Sequence, residues 1–155
     1  SAPEIQSLLS LGVPVGKIIH THPIKMLSDL EQSIALGTET FVVDNLDELW
    51  KLAPYRKDLK VMLRLAFVAP DAPIDLSRKF GAMPEDALSI LNIASQMGIA
   101  IDGLCFHVGS QAQTAATHKE ALLKCIDIAK DASKKGIADI RRIDIGGGFP
   151  ANYAN

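Results

Sequence analysis

Residues that could do chemistry follow directly after apolar runs in this sequence. His107 ends one such run, and Ser110 comes three residues later. Another run ends in three consecutive glycines, Gly146, Gly147 and Gly148. An imidazole can stack on a planar ligand or exchange protons, and glycines let backbone N–H groups approach an anion closely. The pattern is typical of a phosphate site, although a tight turn and a hydrogen-bonded core histidine would give the same residues.

A charged residue, Arg64, interrupts an otherwise apolar run. If this run is a strand, its period of two places Met62, Arg64 and Ala66 on one face. A buried guanidinium needs either a carboxylate partner or an anionic ligand. Both interpretations of Arg64 remain open at this level.

Apolar runs alternate with helical patterns along the whole chain. We predict strands at residues 17–20, 40–43, 60–67, 101–108 and 140–145. We predict helices at residues 3–11, 26–34, 46–50, 84–98 and 115–135, the third of them capped by Asp44 or Asn45. The candidate residues above therefore come at the carboxyl ends of strands, where functional groups gather in parallel α/β folds.

The alternation predicts an α/β fold of about five parallel strands, each covered by helices. Two architectures fit this pattern, an open doubly wound sheet and part of a closed (β/α)8 TIM barrel. Periodicity does not separate them. A complete barrel needs about 250 residues, so within the barrel interpretation we expect the 155 residues to be a fragment.

Composition excludes several classes of function. The net charge is −2 with a pI of about 6.0, and the basic residues are scattered, so we expect no nucleic-acid partner. No apolar run is long enough to span a membrane, and no signal peptide is visible. Cys105 and Cys125 form no metal-binding or redox pair, which favours core positions, no metal site and a cytoplasmic protein.

Four segments resemble one family. They are Phe106–Gln111 (FHVGSQ), Asp144–Pro150 (DIGGGFP), Leu76–Gly81 (LSRKFG) and His22–Lys25 (HPIK, with His where Asn is usual). Their types and order are similar to those of the fold-type III, alanine-racemase-like decarboxylases that act on ornithine, lysine or diaminopimelate. The resemblance implies that residues 1–155 form the central part of a barrel that binds pyridoxal 5'-phosphate (PLP), without the family's C-terminal β domain.

The resemblance also implies roles for individual residues. His107 would stack on the pyridine ring of PLP, and Arg64 would lie near that ring, so these two are the candidate catalytic residues. Ser110 and Gly146–Gly148 would hold the phosphate. Lys79 would lie at the interface of a homodimer in which each subunit completes the other's active site.

Other parts of the family's site have no counterpart in this sequence. The lysine that holds the cofactor covalently would lie upstream of residue 1, and the partner of the pyridine nitrogen would lie downstream. Lys25 and Lys79 match other family positions and are not expected to replace that lysine. We therefore expect the 155-residue chain alone to be inactive.

For the full-length parent, the resemblance implies decarboxylation of a basic amino acid of the ornithine or lysine type, giving a diamine for polyamine biosynthesis. One alternative is a diaminopimelate decarboxylase in lysine biosynthesis. Another is a non-catalytic regulatory homologue that resembles antizyme inhibitor. A third, an open α/β domain for another phosphorylated ligand, is disfavoured by Phe106–Gln111.

Overall fold

The strands of the protein form one parallel sheet. A computed structural model describes residues 1–68, 79–112 and 114–151. The strands are β1 (Ile19–His20), β2 (Thr40–Val43), β3 (Lys60–Leu65), β4 (Ile101–Phe106) and β5 (Arg142–Asp144). The helices are α1 (Ala2–Ser10), α2 (Leu27–Ala35), α3 (Leu46–Leu52), α4 (Ala87–Gln96) and α5 (Ala116–Lys134), and two short 3-10 helices cover Val15–Lys17 and Ala53–Tyr55.

The order of the strands in the sheet decides between the two predicted architectures. Each strand pairs in parallel with the next one in sequence, giving the order β1-β2-β3-β4-β5. A doubly wound sheet reverses its direction of growth at a switch point, and this sheet has no reversal among its described strands. The doubly wound alternative is therefore wrong, and the fold is a curled part of a (β/α) barrel, as the resemblance implied.

The core lies on both faces of the sheet. All four residues of β2 are buried, which explains why that run is apolar apart from Thr40. Leu63 and Leu65 of β3 pack in the large cluster between the strands and the helices. Met62 packs instead with Val42 and Cys105 on the opposite, interior face. The predicted alternation of β3 is thus confirmed, and it directs Arg64 towards the interior of the barrel.

The predicted strands were too long at several ends. Residues 15–17 form a 3-10 helix, so β1 begins only at Ile19, and β5 begins at Arg142 rather than residue 140. β3 ends at Leu65 and β4 at Phe106, because the chain beyond them no longer pairs with a neighbouring strand and forms the rim. Helix α3 begins after Asn45, whose Oδ1 accepts the Glu48 N–H at 3.0 Å, so Asn45 is the cap.

Residues 76–78, the first half of the LSRKFG segment, lie outside the residues that the structure describes. Lys79, Phe80 and Gly81 of that segment are described. Within the described part of the chain, no helix combines the length and the hydrophobicity needed to cross a bilayer.

Candidate cofactor site

Three residues of neighbouring strands form a row across the interior face. Arg64 of β3 lies opposite Cys105 of β4, and Cys105 lies opposite Asp144 of β5. All three line a cavity of about 420 Å³ together with His107 and Gly146. The structure thus brings Arg64, His107 and Gly146 into one cavity at the carboxyl ends of the strands. The remaining lining residues described are Ser1, Glu4, Thr21, His22, Pro23, Val42 and Phe106.

His107 is half-buried at the end of β4, and its environment favours the neutral ring. Its Nδ1 accepts the N–H of Gly109 at 3.1 Å, so Nε2 carries the proton of the neutral imidazole. Burial lowers the pKa of His107 from its usual value, and the positive charge of Arg64 lowers the pKa further. A neutral His107 can face a planar ligand without adding a second cation beside Arg64.

The three-glycine turn packs against the backbone that follows β4. Gly146 has a φ of +67°, and a Cβ on it would lie 2.1 Å from the carbonyl oxygen of Phe106. Gly148 has a φ of +93°, and a Cβ there would lie 1.9 Å from the carbonyl oxygen of Gly109. Both positions therefore require glycine, for conformation and for space. A Cβ on Gly147 would lie 3.3 Å from His107 Nε2, so this turn also lies beside the His107 ring.

Hydrogen bonds fix the turn on both sides. Asp144 Oδ1 accepts the Gly146 N–H at 2.8 Å, and the Gly148 carbonyl oxygen accepts the Ala112 N–H at 2.8 Å. Within the described ranges, the N–H groups of Gly147 and Gly148 have no hydrogen-bond partner. Two unpaired N–H groups on a rigid glycine turn are suitable donors to an anion.

A histidine that the sequence analysis did not identify supports the same turn. His118 in α5 has Nε2 at 3.2 Å from the Gly147 carbonyl oxygen. Its ring stacks on Phe149, with centroids 4.4 Å apart and an interplanar angle of 21°. No motif marks His118, because it lies 29 residues before its hydrogen-bond partner. Its position early in the helix that follows Ser110 was the one available signal.

Arg64 is half-buried and makes no ion pair with any carboxylate in the described part of the chain. Its guanidinium carbon lies 5.1 Å from the centre of the Phe80 ring. Of the two interpretations left open by the sequence, the carboxylate partner is therefore not observed among these residues. The charge instead borders the cavity, where an anionic ligand could balance it.

The other predicted residues lie outside the lining of this cavity as described. Ser110 is half-buried and lies in the chain between Gly109 and Ala112, two of the residues that lie against Gly148. Lys79 is exposed, and its Nζ lies 5.2 Å from the centre of the Phe80 ring.

Lys25 is a structural lysine. Its buried Nζ donates to the carbonyl oxygens of Pro23 at 2.8 Å and Val42 at 2.7 Å, and it lies 3.3 Å from Glu48 Oε2. Burial lowers its pKa. With its donors directed to these acceptors, Lys25 Nζ has no lone pair free for a ligand.

The cysteines are not nucleophiles in this environment. Burial raises the pKa of Cys105 to about 12, and the nearby Asp144 carboxylate adds to the rise. Burial raises the pKa of Cys125 to about 12 as well. Both therefore remain thiols at neutral pH, in the core positions that the sequence predicted.

The residues present fit PLP as a ligand. The glycine turn packs against the carbonyl oxygens of Phe106 and Gly109, where a Cβ would collide, and within the described residues its Gly147 and Gly148 N–H groups are unpaired and can donate to an anion. Arg64 supplies a positive charge, and the neutral His107 ring supplies a flat surface. A phosphorylated, planar, aromatic cofactor matches this set of groups.

Comparisons with known proteins agree with the geometry. The family described as pyridoxal-dependent decarboxylase, pyridoxal binding domain, matches residues 1–155. The lysine/ornithine decarboxylase of Selenomonas ruminantium is 36% identical over 150 residues, covering 97% of this chain and 38% of the relative. The Caenorhabditis elegans ornithine decarboxylase is 34% identical over 152 residues, covering 97% of this chain and 36% of the relative.

Solved structures give the same result. The lysine/ornithine decarboxylase of Vibrio vulnificus, complexed with cadaverine, superposes with a TM-score of 0.90 at 40% identity. The match covers 100% of this chain and 39% of that one. The arginine decarboxylase of Paramecium bursaria Chlorella virus superposes with a TM-score of 0.92 at 30% identity, covering 99% and 41%. The chain thus spans about two fifths of the length of the proteins it matches.

Proposed function

The chain belongs to the pyridoxal-binding domain family of the pyridoxal-dependent decarboxylases, and we propose that the protein containing it decarboxylates ornithine or lysine with PLP. We further propose that residues 1–155 form the central part of its barrel. The observation that carries the proposal is the glycine turn beside His107 and Arg64, since that turn cannot accept a side chain at Gly146 or Gly148.

Each residue has a proposed task in holding the cofactor. The Gly147 and Gly148 N–H groups and the Ser110 hydroxyl donate to the phosphate, and Gly146 lets the turn lie against Phe106. The neutral His107 ring faces the cofactor ring and excludes water from that side. Arg64 adds a positive charge to a cavity that is also lined by Glu4 and Asp144, and this charge favours an anionic cofactor and a substrate carboxylate. Bound PLP supplies the chemistry, because its ring accepts the electron pair left when CO₂ departs.

Several finer proposals follow from the relatives. The matched proteins include ornithine and lysine decarboxylases, and one solved structure contains cadaverine and another putrescine. These relatives support a basic amino acid as substrate and a diamine as product, and we propose that the product serves polyamine biosynthesis. We also propose a homodimer, with the exposed Lys79 at its interface.

The test is turnover by the complete polypeptide that contains residues 1–155. Release of CO₂ from ornithine, lysine and diaminopimelate is measured with and without added PLP. The proposal expects PLP-dependent release from ornithine or lysine. Preference for diaminopimelate would support the alternative substrate, and PLP binding without turnover of any of the three would support a regulatory homologue.

A second experiment locates the lysine that holds the cofactor. Borohydride links PLP irreversibly to that amine, and peptide mapping then identifies it. The resemblance places the lysine outside residues 1–155, and Lys25 is already occupied by buried acceptors. Label on Lys25 or Lys79 would contradict this assignment.

A further inference from the structure

The segment that follows the undescribed residues 69–78 is attached to the end of β3. Ala82 N–H donates to the Arg64 carbonyl oxygen, and Ala66 N–H donates to the Ala82 carbonyl oxygen, both at 2.9 Å. Gly81 N–H donates to Asp44 Oδ2 at 2.9 Å. Gly81 has a φ of +101°, and a Cβ there would lie 2.6 Å from the Ala66 nitrogen. The backbone of residues 81–82 therefore has little freedom relative to Arg64.

This attachment places the Phe80 ring between three polar side chains. The Arg64 guanidinium carbon lies 5.1 Å from the ring centre, and Lys79 Nζ lies 5.2 Å from it. The His22 ring meets Phe80 edge to face, with centroids 5.4 Å apart and an interplanar angle of 77°. His22 is itself held by Ile24, whose carbonyl oxygen lies 2.6 Å from His22 Nδ1. The position of the Phe80 ring is therefore set by the attached backbone of residues 81–82 and by the contact with the His22 ring.

We propose that Phe80 is a positioning residue that directs the Arg64 guanidinium into the cavity, and that His22 supports Phe80 in this task. A long arginine side chain has many rotamers, and fixing one of them costs conformational entropy. Within the described ranges, no carboxylate fixes the Arg64 guanidinium, so its attraction to the face of the Phe80 ring is the interaction that selects its direction.

The direction of Arg64 affects His107. The charged or titratable groups that act on His107 are Arg64 from β3, His118 from α5 and Asp144 from β5. The charge of Arg64 lowers the pKa of His107, so movement of Arg64 towards solvent would raise that pKa. His107 is therefore a reporter for the position of Arg64, and the reporter works without any cofactor.

The first test is a pH titration of the His107 ring by NMR in the cofactor-free complete polypeptide. Phe80→Leu keeps an apolar side chain but removes the ring, and Phe80→Tyr keeps the ring. We expect Phe80→Leu to raise the His107 pKa by about half a unit, in the same direction as Arg64→Gln. Phe80→Tyr should leave it unchanged, and His22→Asn should give an intermediate rise. An unchanged His107 pKa in Phe80→Leu, with a rise in Arg64→Gln, would overturn the proposal.

The second test rests on the proposed function, because it uses PLP. Equilibrium titration with PLP should show about threefold weaker binding for Phe80→Leu and wild-type binding for Phe80→Tyr. Equal binding by both variants would contradict the role of Phe80 at the cofactor. A wild-type protein that does not bind PLP would instead refute the proposed function, and the His107 titration would still decide whether Phe80 positions Arg64.

Discussion

His118 Nε2 lies 3.2 Å from the carbonyl oxygen of Gly147. A helix residue thus holds the middle of a turn whose two outer glycines already contact the backbone after β4. With the Gly147 carbonyl fixed by α5, the neighbouring N–H groups of the turn are fixed as well. The shape of the proposed phosphate site therefore depends on a residue outside the three-glycine motif.

This relationship predicts the effect of changing His118. His118→Phe keeps an aromatic ring against Phe149 but loses the hydrogen bond to Gly147. Loss of one such bond costs about 1 kcal/mol, so PLP should bind about fivefold more weakly to the complete polypeptide in an equilibrium titration. His118→Gln retains a donor and should recover part of the affinity. Wild-type affinity in His118→Phe would show that the stacked ring alone supports the turn.

Lys25 should contribute to stability. Its side chain is fully buried, and Lys25→Met would leave the carbonyl oxygens of Pro23 and Val42 without their donor, while Glu48 would keep its ion pair with Lys51. Because each buried acceptor left unpaired is costly, Lys25→Met should lower the free energy of unfolding by about 2–4 kcal/mol, measured by urea denaturation of the complete polypeptide.

Lys60→Met is the matched control for Lys25→Met, because the Lys60–Glu39 pair is more than half exposed. Its loss should cost under about 1 kcal/mol. If the two variants lost the same stability, the buried contacts of Lys25 would not have the structural role assigned to them.

Because His20 is buried, we expect the free energy of unfolding to depend on pH. Burial lowers its pKa from 6.5 to about 4, and its ring contacts Ser33 Oγ at 3.1 Å and Asp29 Oδ2 at 3.3 Å. The folded protein disfavours protonated His20, whereas the unfolded chain protonates near pH 6.5. The stability contributed by neutral His20 is therefore complete above about pH 6.5 and decreases as the pH falls towards 4.

The measurement compares urea midpoints of the wild type and His20→Gln at pH 7.5 and about pH 4.5. Other groups also titrate in this range, so the difference between the two proteins isolates His20. The wild type should lose more stability than His20→Gln on acidification. An equal loss in both proteins would show that His20 does not carry this dependence.

The sequence predicted those features that depend on local pattern. The alternation in β3 correctly placed Met62 and Arg64 on one face, because a period of two leaves no other arrangement. The order of elements was also right. Strand ends were not, since pairing of β3 beyond Leu65 depends on neighbours far away in the sequence.

Other parts of the site could not be predicted from the sequence, because they also depend on residues far apart in the chain. His118 and Gly147 are 29 residues apart, and no spacing rule relates them. The contact between Arg64 and Phe80 depends on the attachment of residues 81–82 to β3, which only the folded chain shows. In that segment, the family resemblance pointed to Lys79. In the structure, the neighbouring Phe80 makes the contact with Arg64.

We propose that the turn from Gly146 to Gly148 holds the phosphate of PLP beside His107. Gly147 tests it most directly, because Gly147 has no positive φ and a methyl group there would reach 3.3 Å from His107 Nε2. Gly16 also has no positive φ, and a Cβ on it would meet nothing within 4 Å. Equilibrium titration with PLP should therefore show at least about tenfold weaker binding for Gly147→Ala and unchanged binding for Gly16→Ala. Wild-type affinity in Gly147→Ala would contradict the account.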